Sequence, residues 1–140
     1  LTQQGADPKR GLYISFNGVI NDKATTTVQS TQQIALWYKG PLENRPNDSI
    51  GFGLANYVVN ERVQDRQIAT NQSRGYDSYD AFASDYTPIQ RDELNVELNY
   101  TYQWSPAVML RPNLQYIHQP AGVKEVDDAW VAGLSMRVNF

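Results

Sequence analysis

The sequence predicts an all-β protein whose antiparallel strands form part of the wall of a transmembrane β-barrel. Three observations carry this. In "LNVELNYTYQW" (94–104), Leu94, Val96, Leu98, Tyr100, Tyr102 and Trp104 share one parity, and Asn95, Glu97, Asn99, Thr101 and Gln103 share the other. A period of two belongs to a strand, because helical side chains repeat every ~3.6 residues. The longest apolar run, "AVML" at 107–110, is far short of the roughly 20 residues of a membrane-spanning helix. Short and long connections alternate, as they do in outer-membrane barrels.

Six strands follow in order, with no helix expected between them. "GLYISFNGVI" (11–20) places Leu12, Ile14, Phe16 and Ile20 on one face, and "QQIALWYK" (32–39) does so with Ile34, Leu36 and Tyr38. "SIGFGLANYVV" (49–59) contributes Ile50, Phe52, Leu54 and Val58. The fourth strand is 94–104. The fifth, "AVMLRPNLQYIH" (107–118), contains Pro112, whose missing amide hydrogen predicts a bulge or a gap in the ladder. The last, "WVAGLSMRVNF" (130–140), repeats the clean alternation. Ten steps of about 3.3 Å from Trp130 to Phe140, tilted by about 40°, project to about 25 Å, the height of a lipid-facing band. Trp130 and Phe140 then mark the two interfaces, and Trp104 joins Phe140.

The connections 40–49 and 104–106 are compact, whereas 21–31, 119–128 and above all 60–91 are longer. Read as a barrel, the short ones are periplasmic and the long ones lie outside the cell.

Composition limits the alternatives. Twelve Lys and Arg against 15 Asp and Glu give a net charge of −3 with no basic tract, so nucleic acid is not an expected partner. There is no Cys and one His, His118, which leaves no thiolate or multi-His metal site, and neither metal nor cofactor is expected. The mean hydropathy of −0.56 suits a soluble protein. It equally suits a barrel, which shows lipid only every second residue. The opening "LTQQGADPKRG" has no initiator Met or signal segment, so the chain is expected to begin after processing or within a longer protein.

"WYKGPLENRPNDSIGFGLANY" (37–57), "ELNVELNYTYQWSPAVMLRPNLQYIHQPAG" (93–122) and the aromatic end "MRVNF" resemble the C-terminal part of the carbohydrate-selective porins of the OprB type. Gly40, Arg45, Asp48, Gly51 and Gly53 meet one family pattern; Pro112, Leu114, Gln115, Tyr116, Ile117, Pro120 and Gly122 meet another. Ser135 departs from it, standing where the C-terminal sorting signal usually has Gly. The resemblance implies a bacterial outer-membrane barrel of 16 strands through which sugars, monosaccharides such as glucose among them, diffuse into the periplasm. Residues 1–140 would be one partial domain, its last six strands. Implied partners are outer-membrane lipid and lipopolysaccharide, sugar solutes, and the missing N-terminal strands on the same protein or a separate chain. A homotrimer and a monomer both stay open.

For such a pore the chemistry is hydrogen bonding to hydroxyls and stacking on rings. The polar parity offers Asn95, Glu97 and Asn99 on one strand, Arg111, Asn113 and Gln115 on the next and Arg137 on the last. The two arginines are the leading solute contacts, because a guanidinium donates several hydrogen bonds in one plane. Trp37, also of polar parity, is a stacking platform or, the favoured reading, packs on an inserted segment or near the rim. Asp77, Asp80 and Asp85 in the longest loop offer carboxylates to a cation and its tyrosines offer faces to sugar, but a folded surface loop is the favoured account. Two other classes are weighed. A lipid hydrolase needs a Ser beside His118, and Ser135 has the opposite parity; a soluble β-sheet or barrel binder needs its apolar face covered.

Overall fold

The computed structural model describes residues 2–3 and 10–140. They form one antiparallel sheet whose strands lie in chain order: β1 (Thr2–Gln3), β2 (Gly11–Ile20), β3 (Val28–Lys39), β4 (Ser49–Val59), β5 (Glu93–Gln103), β6 (Val108–His118) and β7 (Ala129–Val138). The six long strands are those expected, and the two-residue β1 adds to the edge of β2. Strand β3 begins at Val28 rather than at 32. Residues 28–31 pair with β4 across a register shift between Val28 and Ser30, an irregularity that blurs the alternation there. Trp104 lies beyond β5, in a turn where its N–H donates to the Val108 carbonyl at 3.0 Å.

At Pro112 the outcome is a gap rather than a bulge. Leu98 pairs with Leu114 and Tyr102 with Leu110 in one register, while Tyr100 and Thr101 between them have no partner across the ladder. On its other side Pro112 pairs with Leu134 without interruption. The tertiary amide thus removes pairing on one side only.

The expectation of a helix-free chain fails at α1 (Glu61–Ser73). Asn60 caps it by accepting the Arg62 N–H at 3.1 Å, and Glu61 places negative charge at the positive end of the helix dipole. Its end is a Schellman arrangement: Gly75, at φ +84°, donates to Gln72, and Tyr76 donates to Asn71, both at 3.0 Å. No Gly or Pro interrupts 61–73, and the segment is polar on nearly every face, so it carries no apolar stripe to announce itself.

Almost nothing apolar is buried. Among the described residues Val59 is the sole buried hydrophobic side chain, whereas Phe16 is 70%, Leu98 53% and Leu134 71% exposed. A soluble sheet would cover this face; bare apolar side chains along every strand are what the lipid-facing wall of a barrel presents. Toward the 104–107 turn the apolar face carries Tyr38, Tyr100 and Tyr102, and at its other end Tyr116 packs on Trp130 with ring centroids 5.0 Å apart. These are the positions of two aromatic girdles.

Candidate functional site: the polar face and its two ends

The register sets out the polar face row by row. Trp37 stands opposite Gly51, Gly51 opposite Asn99, Asn99 opposite Asn113 and Asn113 opposite Gly133. The next row runs Ala35, Gly53, Glu97, Gln115 and Val131. On its polar parity β4 therefore presents Gly51, Gly53 and Ala55, almost without side chains, between Trp37 and Gln33 on one bank and Asn95, Glu97 and Asn99 on the other. The result is a trench of about 450 Å³ that reaches across to Arg111 and Gln115. A Cβ at Gly53 would meet nothing within 4 Å, so the glycine leaves open space.

Glu97 organises the far bank. One carboxylate oxygen accepts from the Asn99 amide at 2.9 Å and the other from Gln115 at 2.8 Å. These two bonds fix which way both amides point. Of the residues predicted from sequence, Trp37, Asn95, Glu97, Asn99, Arg111 and Gln115 line this one concavity. Asn113 and Arg137 share the face but not the trench. Asn113 lies against the backbone of Gly133, and Arg137 pairs with Met109, diagonal to Arg111, which pairs with Ser135. Such diagonal neighbours are about 7–8 Å apart at the backbone. Trp37 is 41% exposed and forms the wall opposite Asn99 across Gly51. Gln33, Gly53 and Ala55 were missed by sequence reasoning, although their parity within β3 and β4 was the signal available.

The 40–48 connection closes around Asp48, which is 1% exposed. Its carboxylate accepts from Arg45 Nε at 2.8 Å, Arg45 Nη2 at 3.0 Å, the Tyr100 hydroxyl at 2.6 Å and the Gln103 N–H at 2.9 Å. Arg45 also donates to the Gln103 carbonyl at 3.0 Å and lies 4.0 Å over the Tyr102 ring. Burial pushes the Asp48 carboxyl upward; the hydrogen bonds of Arg45, Tyr100 and the Gln103 amide more than reverse this and hold it below the usual carboxylate range. Gly40 turns the chain at φ +68°, where a Cβ would stand 2.6 Å from Arg10 Nε. The pattern Gly40, Arg45, Asp48 thus belongs to the turn and Gly53 to the trench, while Gly51 makes room for the Asn99 side chain.

The opposite end is clasped by amides. Asn60, 1% exposed, donates to the carbonyls of Lys23 at 2.7 Å and Thr26 at 2.9 Å. Asn71 donates to the Thr87 carbonyl at 2.8 Å and accepts its N–H at 2.9 Å, imitating a strand partner. Gln67 accepts the Gln90 N–H at 2.9 Å. Asn60, Gln67 and Asn71 recur at helical spacing, so one face of α1 holds the returning segment 87–90.

Of the long loop's aspartates, Asp80 and Asp85 are separately engaged. Tyr76 donates to Asp85 at 2.6 Å and Asp80 accepts the Phe82 N–H at 2.9 Å, giving the folded loop that was favoured. Tyr76 first, with the Arg74 charge last, draws the Asp85 carboxyl down. His118 faces Asp128 at 2.9 Å, not a serine; Asp128 also accepts from Tyr116 at 2.5 Å and from the Gln119 N–H at 3.1 Å. Ser135 pairs with Arg111, on the other face of the sheet.

With this geometry in view, comparisons with known proteins agree. The profile described as "Carbohydrate-selective porin, OprB family" matches residues 1–140. The putative porin QuiX of Acinetobacter baylyi is 81% identical over all of this chain and 32% of its own length, and Porin B of Pseudomonas aeruginosa is 44% identical over all of the chain and 30% of its own. The high-pH structure of Pseudomonas putida OprB superimposes with a TM-score of 0.94 at 43% identity, and the low-pH structure with 0.65 at 33%; each is covered to 33% by all of this chain. The chain spans about a third of the length of the relatives it matches. Those relatives are named as porins, which are transporters rather than enzymes. The chain belongs to the OprB family of carbohydrate-selective porins, β-barrel proteins of the outer membrane.

Proposed function

We propose that the protein lets carbohydrates, including monosaccharides such as glucose, diffuse across the outer membrane into the periplasm, and that the β4 trench is part of the wall along which they pass. The observation that carries this reading is the trench itself: a floor of Ala35, Gly53 and Ala55 between an indole and a row of amides organised by Glu97. An indole face suits the apolar face of a sugar ring, and fixed amides exchange for its hydration without holding it tightly. Arg111 and Arg137, close on the diagonal, add donors and disfavour cations in the same part of the wall. In this reading the connections 21–27, 60–92 and 119–128 face outward, 40–48 and 104–107 face the periplasm, and the chain is a C-terminal section of a barrel whose other strands lie elsewhere on the protein.

The test is swelling of liposomes containing the assembled porin. Monosaccharide is expected to enter; Gly53→Leu, which fills the trench without a left-handed backbone to strain, is expected to slow entry severalfold. Arg111→Ala with Arg137→Ala is expected to shift ion selectivity toward cations at low salt, an effect screened near 1 M. Absence of sugar-dependent swelling would contradict the reading. Swelling unchanged by Gly53→Leu would take the trench out of the path.

A further inference from the structure

We propose that a row of cations and hydroxyls at the short-turn end of the trench, centred on Ser49 and Thr101 and including Lys39, binds monosaccharides that carry a carboxylate in preference to neutral ones. This preference presupposes that carbohydrates cross the pore, as read above, and specifies which. On the pore parity Lys39 stands opposite Ser49, and Ser49 opposite Thr101. Across the next ladder Asn99 pairs with Asn113 and Tyr102 with Leu110, so the same register sets Thr101 against Arg111, at the gap beside Pro112. The row therefore reads cation, hydroxyl, hydroxyl, cation over four neighbouring strands. Three strand spacings of about 4.8 Å put the two cations about 14 Å apart at the backbone. Their long side chains can lean inward over the short hydroxyls, so both reach an anion seated on Ser49 and Thr101.

Among the described residues no ion pair neutralises this row. Arg45 pairs with Asp48 and His118 with Asp128, and neither pair involves Lys39, Arg111 or Arg137. Arg137 lies one row further toward the same end, diagonal to Arg111. Glu97, two rows outward, accepts from the amides of Asn99 and Gln115. Space for a solute lies on both sides of the row: Arg111 belongs to the trench, and Lys39 lines a polar hollow of about 500 Å³ with Asn47, Gln103 and Asn139. Trp37 shares the face of Lys39, two residues earlier and about 6.6 Å away along β3. A sugar ring laid on that indole brings an acidic substituent over the row. The ring then meets the indole, and the carboxylate meets two hydroxyl donors and two cations. A neutral sugar leaves the cations with water alone.

The test is block of ion current in planar bilayers holding the full-length assembled porin, at about 0.1 M salt, where charge is felt over about 10 Å. Glucuronate is expected to half-block the current at a concentration about tenfold below that of glucose, and acetate, which has the charge without the ring, to block far more weakly than glucuronate. Lys39→Gln, which keeps the length and removes the charge, is expected to cut the glucuronate-to-glucose preference at least threefold. Ser49→Ala with Thr101→Val should cut it by about as much, and Lys39→Arg should keep it. The preference is a ratio read within each assembled variant, so a change in the amount of folded porin does not alter it. Equal block by glucuronate and glucose, acetate as effective as glucuronate, or a preference untouched by Lys39→Gln would overturn the proposal. Glucose entry without any such preference would leave the transport reading standing, whereas no response to either sugar would remove both.

Discussion

The two ends of the sheet are closed by opposite chemistry. At the short-turn end a single buried carboxylate, Asp48, gathers four hydrogen bonds from Arg45, Tyr100 and Gln103. At the long-loop end Asn60, Gln67 and Asn71 of one helix satisfy backbone groups of segments far away in sequence. A charge concentrates many donors at one point, which suits a nine-residue connection that must reverse direction without slack. Amides carry a donor and an acceptor side by side and therefore replace a missing strand, which suits a long excursion that has to be pinned at several places. Charge makes the first cluster strong but titratable; the amides of α1 are each weaker and do not themselves titrate.

The largest expected effect breaks the charged end. Asp48→Ala leaves the Arg45 guanidinium, the Tyr100 hydroxyl and the Gln103 N–H without their shared acceptor, and should cost about 3–5 kcal/mol. Urea unfolding of the assembled porin checks this; a loss below about 1 kcal/mol would make the cluster incidental. The amide end responds differently. Asn71→Ala should cost about 1–3 kcal/mol, since both backbone groups of Thr87 lose their partner. That loss should appear as faster proteolysis within 74–90 and not as barrel unfolding. Equal, global effects of the two substitutions would erase the contrast.

The smallest effect is one of pH. Asp48 is held below its ordinary range, so its contribution is complete above the unfolded carboxyl value of about 4 and is lost as pH falls through the lower folded value. Between pH 6 and pH 3 the turn around Trp104 should begin to loosen, seen in tryptophan fluorescence, whereas protection of the Thr87 and Gln90 amides against hydrogen exchange by the Asn71 and Gln67 side chains should not follow the titration. Parallel loss of both would show that charge governs the loop end as well.

The same contrast explains what was legible in the sequence. Strands β5 and β7 could be read residue by residue, because lipid on one face and water on the other enforce a strict period of two. The pore-facing set followed from parity, and six of its eight residues share one trench. The floor of that trench could not be read, since glycines signal by absence and their meaning depends on which side chains stand opposite. Helix α1 escaped because its stabilising face is made of amides spaced like a helix but indistinguishable in hydropathy from a loop. The irregularity of β3 between Val28 and Ser30 hid its first turn of pairing for a related reason, as a register shift breaks the alternation on which the reading depends.

All of this depends on which face meets water. The chain has no cysteine, so single cysteines can be placed along β5 in a membrane-embedded porin whose other thiols are removed, and their reaction with a charged, water-soluble thiol reagent followed. Positions 95, 97, 99 and 101 are expected to react and positions 94, 96, 98 and 100 to be protected, in strict alternation. Reaction at the even positions with protection of the odd ones, or a uniform rate along the strand, would contradict the account.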